Sequence, residues 1–97
     1  MRPLEDIIDK LQVLQPELRR RFGLRSMGIF GSYARGRQRE GSDLDILVEL
    51  GDEAGLLEQA GLQVELSDAL GMNVEIVNRA ALKPRIGRRI LAEVRML

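Results

Sequence analysis

Between Asp43 and Leu50 the chain reads Asp-Leu-Asp-Ile-Leu-Val-Glu-Leu, and this stretch constrains the fold more than any other. Successive side chains of a strand point to opposite sides of a sheet. Leu44, Ile46, Val48 and Leu50 therefore fall on one face, and Asp43, Asp45 and Glu49 on the other. One face is core and the other carries acid.

Two further strands are predicted around it. Ser26 to Phe30 is a short apolar run ending at Gly31-Ser32, a strand that delivers a tight turn. Asn73 to Asn78 places Val74 and Ile76 on one face and Glu75 on the opposite one. Helical segments alternate with these strands. Leu4, Ile7, Ile8, Leu11, Leu14 and Leu18 recur at helical spacing. Pro16 removes a hydrogen bond and crowds the preceding turn, which predicts a kink or a fresh start there, with Pro16 in the first turn of a short second helix. Arg19, Arg20 and Arg21 then sit at a helix end ahead of Gly23, where cations face the dipole, so the run reads as a solvated terminus. Leu56 to Leu70 predicts a helix with Leu57, Ala60, Val64 and Leu70 inward, weakened by Gly61 and ended by Gly71. Leu82 to Leu97 closes the chain as a mostly helical segment resting on Leu82, Ile86, Ile90, Leu91 and Val94, with Pro84 near its start. The implied architecture is α+β: a small mixed sheet with helices on one face and the acidic face open for a ligand.

Composition narrows the chemistry. A chain of 97 residues fits one domain spanning 1–97, without room for a separate substrate-binding lobe. It contains neither Cys nor His, which excludes disulfides, thiol nucleophiles and imidazole acid–base mechanisms. Carboxylates must carry any acid–base or metal chemistry. Fifteen basic residues balance fifteen acidic ones and aromatic content is 3%, so neither a strong phosphate-attracting field nor a base-stacking surface is present, and nucleic-acid binding is not expected. No apolar run approaches bilayer length and there is no signal-peptide pattern, so the expected location is the cytoplasm.

The chemistry concentrates in Gly31-Ser32-Tyr33-Ala34-Arg35-Gly36 and Ser42-Asp43-Leu44-Asp45. A Gly-Ser turn lets backbone N–H groups approach a polyphosphate, a helix starting there adds its positive end, and the Ser32 hydroxyl adds a donor. Gly31 and Ser32 are thus candidate phosphate ligands, with Arg35 next in line to neutralise phosphate charge, and Arg37 and Arg39 behind it. Asp43 and Asp45, two apart on a strand, can share a metal ion; hard oxygen ligands select Mg²⁺ over softer metals, with a second ion able to follow. Glu75 has the parity to ligate that ion or to accept the proton of an attacking hydroxyl. Alone, a Gly-Ser pair is common in loops and Asp-x-Asp is usually a solvated strand edge. Their joint occurrence on strands of matching parity is what carries weight.

This combination resembles the nucleotidyltransferase superfamily of DNA polymerase β, and more narrowly its minimal nucleotidyltransferase (MNT) antitoxin branch. The likeness continues through Asn73-Val74-Glu75-Ile76-Val77-Asn78, Leu82-Lys83-Pro84 and Ile90-Leu91. In that family the position of Glu75 is usually Asp, so the longer side chain is a departure. The position of Tyr33 is aromatic there, an apolar anchor for the turn rather than a reacting group. The resemblance implies ATP as substrate and attack of a hydroxyl on its α-phosphate. It implies a partner as well, a HEPN-domain ribonuclease toxin neutralised by AMP transfer to a tyrosine. Two alternatives stand beside this: a module that neutralises its partner by binding alone, and template-free nucleotide addition to RNA, which the neutral composition disfavours. Copy number is left open, homo-oligomers included.

Overall fold

A computed structural model describes residues 3–97. Helix α1 (Leu4–Phe22) leads into strand β1 (Leu24–Phe30), and β2 (Leu44–Leu50) follows. Helix α2 (Leu56–Leu70) connects to β3 (Val74–Asn78). After a 3₁₀ turn (Arg79–Ala81) come helix α3 (Pro84–Glu93) and the short strand β4 (Arg95–Met96). The four strands form one sheet in the order β3-β2-β1-β4. β1 runs antiparallel to β2 and β4, and β2 runs parallel to β3, the pairing that requires α2 as a crossover.

The alternation in β2 is realised. Leu44, Ile46, Val48 and Leu50 join Met27, Ile29, Val74 and Ile76 in a single core, covered by Ile7, Ile8, Leu11 and Leu18 of α1 and Leu62, Leu66 and Leu70 of α2. β1 begins two residues before the predicted Ser26. A register shift between Leu24 and Ser26 lets even-numbered Leu24 share the face of Met27 and Ile29.

Three local expectations are corrected. Helix α1 does not restart at Pro16 but runs through it. Pro16 and Gln12, whose carbonyl loses its helical partner, are both exposed residues, while Ile7, Ile8, Leu11 and Leu18 anchor the helix on either side. Helix α2 has the predicted limits and a different phase: Leu62, Leu66 and Leu70 are buried, whereas Leu57 and Val64 are 82% and 61% exposed and Ala60 faces solvent. The helix carries two apolar stripes, and its other residues choose between them. Gly61 lies on Phe22, where an added Cβ would stand 3.1 Å from the ring. Gln63 Oε1 and Ser67 Oγ accept the N–H groups of Ile76 and Val74, at 3.0 and 3.1 Å, along the edge strand β3. Finally, the closing segment is not one helix to Leu97. α3 starts at Pro84 as its first-turn residue and ends at Glu93, after which β4 pairs with Gly28 and Ile29. Of the residues predicted inward, Ile90 is buried and Leu82 and Val94 half-buried, while Ile86 and Leu91 remain exposed. Among the described residues no helix is long and apolar enough to cross a membrane.

Candidate active site

Phe30 is paired with Asp45 across the β1–β2 ladder, so the turn leaving β1 emerges beside the acidic face of β2. Gly31 opens that turn with φ +75°, a left-handed conformation costly for any residue with a side chain. An ideal Cβ there would lie 2.2 Å from Asp45 Oδ2. On the other side, the parallel β2–β3 register sets Asp45 beside Glu75. The half-buried Asp45 thus sits between the Gly31 turn and Glu75, with exposed Asp43 just before β2.

This crowding shows in the electrostatics. Burial, then the Glu75 carboxylate with which Asp45 shares a hydrogen bond, then Asp43, push the Asp45 carboxyl up to about 6, and Arg35 opposes the rise. Loop residues ahead of Asp43 are tied down: Ser42 Oγ accepts the Arg39 N–H at 2.8 Å and the Ser42 N–H donates to Arg39 O at 2.9 Å. The structure therefore brings together Asp43, Asp45, Glu75, Gly31 and Arg35, with Ser32 half-buried next to Gly31. Arg37 and Arg39 are exposed, and neither lines the cleft beside Asp45. Tyr33 is 3% exposed and belongs to the core, as its anchoring role requires.

The helix expected to start at Gly31 is not formed. Residues 31–36 make a succession of turns, with the Arg35 N–H on Gly31 O at 3.1 Å and the Arg37 N–H on Ser32 O at 2.9 Å. Gly36, at φ +68°, stops the turn before a second helical pass can build. No macrodipole is added, and the donors this turn offers to an anion are individual N–H groups and the Arg35 guanidinium.

Sequence reasoning missed Glu93. Its Oε2 accepts the Gly31 N–H at 2.7 Å and an Arg35 guanidinium N–H at 2.9 Å. The available signal was that Glu93 is the lone acid in a segment holding Lys83, Arg85, Arg88, Arg89 and Arg95. Phe30, Ile86, Arg89 and Ile90 also went unnoticed as walls of a cleft of about 250 Å³ shared by Gly31, Arg35, Asp45 and Glu93. Helix α3 accordingly borders the acidic face that β2 presents.

Among the described residues, no three acidic side chains converge on one point as a complete metal cage. Mg²⁺ needs few protein ligands when phosphate oxygens complete its shell, and the negative charge collected around Asp45 is what a divalent cation relieves. The hard oxygen donors of Asp43 and Asp45 fit that ion.

A family model described as Nucleotidyltransferase domain matches residues 11–97. The protein adenylyltransferase MntA of Thermococcus cleftensis is 43% identical over 94 residues, covering 97% of this chain and 95% of the relative. A solved structure assigned as a minimal nucleotidyltransferase superposes with a TM-score of 0.83 at 37% identity, covering 100% of this chain and 97% of the other. A crystal structure of a toxin–antitoxin with AMP-PNP gives 0.73 at 24% identity, over 90% of this chain and 70% of its own, a likeness of fold alone. Matches that span almost all of both chains meet the acidic β2–β3 face and the Gly31 turn in the same conclusion: this chain is a nucleotidyltransferase, of the minimal branch of the polymerase β-like superfamily.

Proposed function

We propose that the chain transfers AMP from ATP, in the presence of Mg²⁺, to a tyrosine hydroxyl of a partner HEPN ribonuclease toxin and neutralises it. The observation that carries this is that Asp45 lies between the Gly31 turn and Glu75, close enough to Glu75 and Asp43 for their charges to act on it. Support for the reaction class comes from the protein adenylyltransferase activity named for the Thermococcus relative, and for the setting from the shared fold of a toxin–antitoxin structure.

In this mechanism the Gly31 N–H, the Ser32 hydroxyl and the Arg35 guanidinium hold polyphosphate oxygens. Asp43 and Asp45 would hold Mg²⁺, which polarises the phosphoryl oxygens and offsets charge when bound. Glu75 accepts the proton of the attacking hydroxyl as that oxygen forms a bond to the α-phosphorus. The bond from the α-phosphorus to the bridging oxygen breaks, and pyrophosphate leaves with its charge stabilised by Arg35.

The test is to incubate the purified chain and its HEPN-domain partner with ATP and Mg²⁺ and weigh the partner by intact mass spectrometry. The expected result is a gain of whole AMP units, absent when Asp43→Ala and Asp45→Ala are combined. An unchanged mass with a stable complex, and neutralisation retained by the double variant, would establish binding alone as the mode of action.

A further inference from the structure

We propose that Glu93 is a built-in anion seated on the phosphate donors of the Gly31 turn, and that an incoming nucleoside triphosphate must displace it. This rests on the reading of Gly31 and Arg35 as phosphate ligands. A single oxygen, Glu93 Oε2, takes both the Gly31 N–H at 2.7 Å and the Arg35 guanidinium at 2.9 Å. These are charge-assisted bonds at the short end of their range, the kind a phosphate oxygen would make to the same donors.

The seat is built rather than incidental. Glu93 is the last residue of α3, and Arg95 two positions on pairs with Ile29, so the sheet fixes the carboxylate beside the turn that leaves β1. Its side chain is 19% exposed, whereas the Arg35 side chain is 45% exposed and free to receive a larger anion. The carboxylate also lines the cleft that Gly31, Arg35 and Asp45 share. Arg89, one helical turn earlier, lines the same cleft and offers the displaced carboxylate a second cation.

A ligand that must first expel an internal competitor binds with an affinity reduced by the fraction of molecules whose seat is empty. Glu93→Gln keeps the shape and removes the charge that holds Arg35. Titration calorimetry of the full chain with ATP and Mg²⁺, without acceptor, should show about tenfold tighter binding for E93Q, the size set by losing one partly exposed charge-assisted contact. Adenosine, which has no phosphate, should bind both forms alike. Equal or weaker ATP binding by E93Q, or an equal gain for adenosine, would overturn the proposal. A measurement on the wild type guards against a misfolded variant: the carboxyl ¹³C resonance of Glu93 should move as ATP saturates the chain, and a resonance that stays in place would also overturn it. The two readings fail separately. Tighter ATP binding by E93Q without AMP transfer by the wild type would sink the reaction, while transfer with unaltered affinity would sink the role of Glu93.

Discussion

The Asp45 carboxylate occupies the space that a side chain on Gly31 would fill, with Oδ2 2.2 Å from an ideal Cβ. Gly31 also has φ +75°, so Gly31→Ala meets backbone strain and a charged obstacle together. Urea unfolding should show a loss of about 2–4 kcal/mol, combining ~1–2 kcal/mol for the left-handed backbone with the cost of overpacking. Gly36 supplies the control. Its φ is +68° with nothing within 4 Å of an added Cβ, so Gly36→Ala should lose only the ~1–2 kcal/mol of backbone strain.

Burial and the neighbouring Glu75 raise the Asp45 carboxyl to about 6, from 3.8 in the unfolded chain. The folded state therefore binds the proton more tightly, and the contribution of Asp45 to stability is fully present below pH 3.8 and lost as pH rises through 6. With divalent cations removed, Asp45→Asn should raise the melting temperature by a few degrees at pH 7.5, and the gap to the wild type should close toward pH 4. A melting temperature for D45N that runs parallel to the wild type across that range would mean the carboxylate is not under the strain its neighbours imply.

Glu75 stands beside Asp45 in the parallel register and is exposed, a position that lets it reach an acceptor hydroxyl. If it takes that proton, Glu75→Gln should lower the rate of AMP transfer by roughly 10²–10⁴ while ATP affinity changes little. Single-turnover kinetics separates the two. A variant that loses affinity and rate together would place Glu75 among the metal ligands instead.

The acidic pair, the turn and the third strand were legible in the sequence because their signal is local: parity fixes which face Asp43, Asp45 and Glu75 share, and a glycine beside a serine fixes where a turn follows. What could not be read was decided by distant contacts. The phase of α2 depends on Gly61 meeting Phe22 and on Gln63 and Ser67 reaching β3, partners 39, 13 and 7 residues away in the chain. The seating of Glu93 on Gly31 spans 62 residues, and no periodicity announces it.

The same contrast gives a stability test of the two stripes on α2. Leu62 is fully buried and Leu57 is 82% exposed. Leu62→Ala should cost about 2–5 kcal/mol in denaturant unfolding through the lost burial and the cavity left behind, and Leu57→Ala should stay within about 0.5 kcal/mol.

Gly28 decides whether the chain can end as a strand. A Cβ on Gly28 would lie 2.7 Å from both Met96 Sδ and Val94 Cγ2, and 3.1 Å from the Arg95 carbonyl. The methionine end can swing away, but the β-branched Val94 and the backbone cannot, so Gly28→Ala should push β4 off β1. Hydrogen exchange reads this directly. The Leu97 N–H, bonded to Met27 O at 3.0 Å, should lose protection in the variant, while the amides of the β1–β2 ladder keep theirs. Unchanged protection at Leu97 would mean that the last strand tolerates a side chain beneath it and that the requirement for glycine at this position lies elsewhere.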